Sequence, residues 1–90
     1  MLVDVREEFE WEQGHIDGAV HVAKSYLEQG IESDVPDRSR SVVLYCAGGV
    51  RSLFAAQTLS QMGYGNVASM SGGFQQWKAQ GFRWTTPPSL

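Results

Sequence analysis

The segment Val42-Val43-Leu44-Tyr45-Cys46-Ala47-Gly48-Gly49-Val50-Arg51-Ser52, with the run from Leu53 to Met62 behind it, constrains the fold more than any other part of this chain. Four apolar or β-prone residues predict a buried strand, two adjacent glycines a tight turn, and the Ala- and Leu-containing run a helix. A strand feeding a helix in this way is a building block of α/β architecture. In such folds ligands and reactive groups collect where the carboxyl end of a strand faces the amino end of the next helix. Cys46, the only cysteine of the 90 residues, stands at that point.

Four residues separate Cys46 from Arg51. A loop curling between them can turn its backbone N–H groups inward as an anion nest, with Gly48 and Gly49 permitting the curl because they tolerate positive φ. The helix opening near Arg51 or Ser52 adds the positive end of its dipole, and the Arg51 guanidinium adds a full charge on a rigid donor fork. All of these lower the pKa expected of Cys46 below the usual ~8.5 and favour thiolate. A thiolate in an anion cradle is a nucleophile for a negatively charged substrate. The opposing reading is a buried, unreactive thiol.

Cys46-Ala47-Gly48-Gly49-Val50-Arg51-Ser52 resembles the active loop of rhodanese-type sulfurtransferases, C-x-x-G-x-R followed by a small hydroxyl or alanine residue. Leu2-Val3-Asp4-Val5-Arg6 resembles the family's L-x-D-V-R strand, and Gly14-His15-Ile16-Asp17-Gly18-Ala19 its G-H-I-P-G-A turn, with Asp17 in the proline position. Gly63-Tyr64 before Asn66-Val67, and Gly72-Gly73-Phe74 before Trp77, are similar to two further family elements. The resemblance runs in order from Leu2 to about Gly81.

It implies a small three-layer α/β fold, a central parallel sheet flanked by helices. It also implies a persulfide-forming Cys46, a loop of Ala47, Gly48, Gly49, Val50 and Arg51 that holds an anionic donor such as thiosulfate, and structural support from Asp4, Arg6 and Ser52. The acceptor would be an external thiol, cyanide or a sulfur-accepting protein, because no second cysteine is present to discharge the persulfide as a disulfide. No cofactor and no metal are implied. Related phosphatases place five residues between Cys and Arg, whereas this chain has the four of a sulfurtransferase. The family's strand and helix before L-x-D-V-R have no counterpart in the residues preceding Leu2, so that edge element is expected to be absent, shortened or otherwise supplied. Three rivals stand beside this reading: a non-catalytic partner-docking module on the same fold, a phosphatase or arsenate reductase, and a Cys-His hydrolytic pair.

Composition limits the remaining choices. A net charge of −3 and a pI near 5.2 argue against nucleic acid, which needs a basic face. No apolar run approaches the ~18 residues of a membrane span, and no basic segment leads into an apolar stretch, so a cytoplasmic protein without membrane contact is expected. A lone cysteine suits a reducing compartment. Two histidines and one cysteine in no ligand spacing do not make a metal site, and His15 and His21 are expected to bond to backbone.

Along the chain, residues 1–90 are expected to form one domain, with 81–90 a tail that either packs back or stays loose. Asp4 and Arg6 are expected to pair, and Glu7, Glu8, Glu10 and Glu12 to form the solvated face of a short helix, with Phe9 or Trp11 turned inward. Ala19–Val22 reads as a strand, Ser25–Ile31 as a short helix ended by Gly30, and Ser33–Ser41 as a surface loop. Leu53, Ala56, Leu59 and Met62 are the expected buried stripe of the helix after the loop. Val67–Met70 reads as a strand, Ser71-Gly72-Gly73 as a turn, and Phe74 and Trp77 as apolar anchors of a last helix.

Overall fold

A computed structural model describes residues 1–88. Its centre is a four-stranded parallel sheet of β1 (Leu2–Asp4), β3 (Val20–His21), β4 (Val42–Tyr45) and β5 (Val67–Ser69), in the order β3-β1-β4-β5. A separate antiparallel pair joins β2 (His15–Ile16) to β6 (Trp84–Thr85). The helices are α1 (Glu8–Gln13), α2 (Leu27–Asp34), α3 (Val50–Gln61) and α4 (Gly73–Ala79), with a 3-10 turn at Lys24–Tyr26.

Strand alternation builds two cores, because successive side chains leave opposite faces. Val3, Val42, Leu44 and, beyond the strand, Cys46 meet Leu27 and Ile31 of α2 and Ala55 and Leu59 of α3. Tyr45 and Leu2 face the other way, into a cluster with Ile16, Phe74, Met70 and Trp77. The central strands are covered on both sides, which is why β1 and β4 read as near-continuous apolar runs. The sheet's edges are β3 and β5, only two and three residues long, and short edges give little template for pairing with another chain. No helix among the described residues is long and apolar enough to cross a membrane.

Several local expectations need correction. Gly30 does not end a helix but lies buried inside α2, where a Cβ would come within 2.6 Å of the Tyr26 ring. Its smallness admits Tyr26, and the helix runs on through Ser33 to Asp34. Leu53 is 54% exposed, because the buried stripe of α3 is Ser52, Ala55 and Leu59, with Ala56 and Met62 beside it. The loop draws Ser52 under itself, and that choice of phase turns Leu53 outward. On α1 the inward aromatic is Trp11, stacked on His15 at 3.4 Å and near His21 at 5.1 Å, whereas Phe9 is 62% exposed. Both histidines donate to backbone carbonyls, His15 to Trp11 and His21 to Arg6. The tail packs back through β6 as far as it is described; Ser89 and Leu90 lie outside the described residues.

Candidate active site

Cys46 follows β4 directly and is 1% exposed, at the bottom of a loop that ends where α3 begins at Val50. Its Sγ accepts from the Gly49 N–H at 3.1 Å and the Ser52 N–H at 3.4 Å, with the Ser52 Oγ at 3.5 Å. Burial pushes the thiol pKa up, but hydrogen bonds from the Ser52 hydroxyl and the backbone of Ser52, Gly49 and Gly48 outweigh it, and the net direction is down. The Ser52 hydroxyl also lies 2.7 Å from Ser69 Oγ on β5 and 3.3 Å from the Gly49 carbonyl. A thiol can donate to Ser52; when the sulfur is ionised the serine can turn its proton toward it while Ser69 donates in turn.

The two glycines have different tasks. Gly49 carries φ +106, and a Cβ there would sit 3.3 Å from the Gly72 nitrogen. Gly48 has an ordinary negative φ, and its Cβ would meet nothing closer than Gln75 Oε1 at 3.9 Å. Only Gly49 is required by geometry.

While the loop's N–H groups face the sulfur, two of its carbonyls face α4. Phe74 N–H donates to the Cys46 carbonyl at 2.9 Å and Gln75 N–H to that of Ala47 at 3.0 Å. Orphan donors of the α4 amino end thereby satisfy orphan acceptors of the loop. Gly73 makes the approach possible, since a Cβ there would fall 2.4 Å from the Cys46 oxygen.

The fork of Arg51 is taken up by α1 and makes no hydrogen bond to the sulfur among the described residues. Nη1 and Nη2 bind the two oxygens of Glu10 at 2.7 and 2.9 Å, and the Glu7 N–H adds a third donor to Glu10 at 3.0 Å. The Arg51 hydrogen bonds lower the Glu10 pKa against a smaller opposing effect of burial, and the Arg51 pKa is raised in return. Glu10 is thus no member of a purely solvated acidic face. Its sequence signal is the Glu7-x-x-Glu10 spacing, which marks a helix start and carries no hint of Arg51. Ser69 and the α4 amino end were also invisible in sequence, where Gly72-Gly73 indicates only a turn.

Asp4 and Arg6 lie on the opposite face of the sheet from Cys46. Arg6 Nη2 binds Asp4 Oδ2 at 2.7 Å and the Gly14 carbonyl at 2.6 Å, and Nε spans both Asp4 oxygens. The guanidinium stacks 4.5 Å above Phe74. Among the sequence-derived residues, then, the backbone of Gly48, Gly49 and Ser52 turns toward the Cys46 sulfur; Ala47 and Val50, with the exposed side of Gly48, form the partly open rim; Arg51 pairs with α1; and Asp4 with Arg6 supports the structure from behind.

Comparison with known proteins settles the family. The sequence model described as Rhodanese-like domain matches residues 1–80. The chain belongs to the rhodanese-like domain family. Over 79 residues it is 35% identical to the thiosulfate sulfurtransferase GlpE of Coxiella burnetii, covering 88% of this chain and 72% of that one. The crystal structure of the rhodanese-like domain of the Alr3790 protein from Anabaena sp. superposes with TM-score 0.86 at 29% identity, covering 94% and 97% of the two chains. An E. coli rhodanese solved with anions gives TM-score 0.83 at 29% identity and 96% coverage of both. In this rhodanese-like domain the mixed α/β arrangement, with its parallel sheet between helices, ends β4 at the one thiol the chain possesses.

Proposed function

We propose that this domain is a sulfurtransferase, moving a sulfane sulfur from an anionic donor such as thiosulfate to a thiol, cyanide or protein acceptor through a persulfide on Cys46. The observation that carries the reading is the Cys46 sulfur, buried yet ringed by the N–H groups of Gly49 and Ser52 at the foot of a four-residue loop. The names of the curated relatives point the same way.

The Cys46 thiolate attacks the outer sulfur of thiosulfate, the sulfur–sulfur bond of the donor breaks, and sulfite leaves with the electron pair. The sulfane sulfur remains on Cys46, and its negative charge rests in the bowl formed by residues Ala47 to Val50. The carboxylate of Glu10 holds Arg51 at the rim, where its charge attracts the anionic donor. A nucleophilic acceptor then takes the outer sulfur and returns Cys46 to thiolate. A bowl four residues long suits a single sulfur better than a tetrahedral phosphate. The lone thiol works only when reduced, which suits a reducing compartment such as the cytoplasm.

Two-substrate kinetics test the reading. Thiocyanate formation from thiosulfate and cyanide should give parallel double-reciprocal plots, the mark of a covalent ping-pong route, and Cys46→Ser should abolish it. Intersecting plots, or turnover in Cys46→Ser, would refute the persulfide route.

A further inference from the structure

Beside the loop, between α1 and α4, lies a cleft of about 170 Å³ lined by Arg6, Glu10, Gln13, Ala47, Gln75 and Lys78. Ala47 is the first residue of the loop, so the cleft reaches the loop at its α4 side. Its charges do not cancel. Arg6 is matched by Asp4 and Glu10 by Arg51, whereas Lys78 makes no ion pair among the described residues. Lys78, exposed to solvent, instead rests its Nζ 4.9 Å from the Phe74 ring and 5.5 Å from Trp84, over an aromatic floor. The hydrogen bonds of Arg6 to Asp4 and Gly14 use Nε and Nη2 and leave Nη1 without a protein partner among the described residues. A second cleft, on the other side of α4 along Met70, Gln76, Trp77 and Phe82, has no charged side chain in its lining.

We infer that the cleft between α1 and α4 seats the anionic end of the sulfur acceptor, and that the acceptor is a small thiol bearing a carboxylate or similar anion, with Lys78 as its specificity-determining residue. The inference rests on the sulfurtransferase reading and extends it to the second half-reaction. Once the donor has left, the bowl is filled by the persulfide sulfur, so the acceptor reaches that sulfur from the rim and its remaining atoms fall beside the loop. Of the two clefts, the one flanking Ala47 offers an unmatched cation and amide donors from Gln13 and Gln75. The acceptor thiolate attacks the outer sulfur, the bond to Cys46 breaks, the sulfur leaves as the acceptor's persulfide, and Cys46 keeps the electron pair as thiolate.

The experiment separates the two half-reactions. Protein is loaded with thiosulfate, freed of donor, checked by mass for one added sulfur, and then chased with mercaptopropionate or with uncharged mercaptoethanol. The ratio of the two discharge rates, mercaptopropionate over mercaptoethanol, is expected to fall about tenfold in Lys78→Glu and about threefold in Lys78→Ala, the size of one or two partly exposed charge interactions. In the wild type the ratio should also fall as salt is added. An unchanged ratio in both variants overturns the inference. So does a Lys78→Glu defect confined to loading by thiosulfate, which would give the cleft to the donor. Wild-type protein that never gains the sulfur fails at the first step and overturns the underlying sulfurtransferase reading, an outcome distinct from a loaded protein with no preference.

Discussion

Burial by itself raises a thiol's pKa, and Cys46 goes the other way only because the loop and Ser52 aim donors at its sulfur. A depressed pKa keeps the thiolate, and so the reactivity, down to lower pH. Alkylation of Cys46 by iodoacetamide should therefore rise with pH through a midpoint below the ~8.5 of an ordinary cysteine. Ser52→Ala removes the hydroxyl within reach of sulfur and should move that midpoint upward, with sulfur transfer at neutral pH falling by about tenfold. An unmoved midpoint would deny Ser52 its part. Arg51→Ala strips the rim of its cation and leaves the Glu10 carboxylate facing the anionic donor, so turnover with thiosulfate should drop by about 10². At this scale the thiol and the loop around it were legible because Cys46, Gly49 and Ser52 are close in sequence. Glu10 was not, since it stands 41 positions before Arg51 and only the folded sheet brings the two together.

Between elements, the loop is held from two sides, by α3 below the sulfur and by the α4 amino end behind the carbonyls. The two glycines offer a direct contrast. Gly49→Ala forces a side chain into left-handed backbone against Gly72 and should cost about 1–2 kcal/mol, while Gly48→Ala should be nearly neutral in thermal melts. Equal costs would contradict the loop geometry. The Glu10–Arg51 pair ties α1 to α3, and its worth is pH-dependent in a definite direction. A carboxylate held low by a native-state cation adds stability above its unfolded pKa of about 4.3, and that stability is lost as pH falls through the depressed folded value. The pair is partly exposed, so Glu10→Gln should cost at most about 1 kcal/mol at neutral pH. The melting difference from wild type should close in acid. Helix phase was the part the periodicity misjudged: Leu53 and Ala56 fit an apolar stripe as well as Ala55 does, and only the capture of Ser52 beneath the loop decides between them.

Across the whole molecule, the parallel sheet was readable from buried strands alternating with helical runs, while the pairing of β2 with β6 was not, because two-residue strands leave no periodic signal. That pairing brings Trp84 edge-on to Phe74 at 5.8 Å and against Gly14, where a Cβ would fall 2.6 Å from the indole. The tail therefore covers the face of the molecule that carries the Asp4–Arg6 pair. On the proposed function, the whole fold serves to hold one sulfur on one cysteine. Intact-protein mass spectrometry after brief exposure to thiosulfate tests it most directly, with Cys46→Ser alongside. A gain of about 32 Da is expected in the wild type alone, removed by cyanide or a thiol, as a covalent intermediate on Cys46 requires. No gain with thiosulfate or any other sulfane donor, in protein shown to be folded and reduced, would contradict it and leave the domain as a docking module.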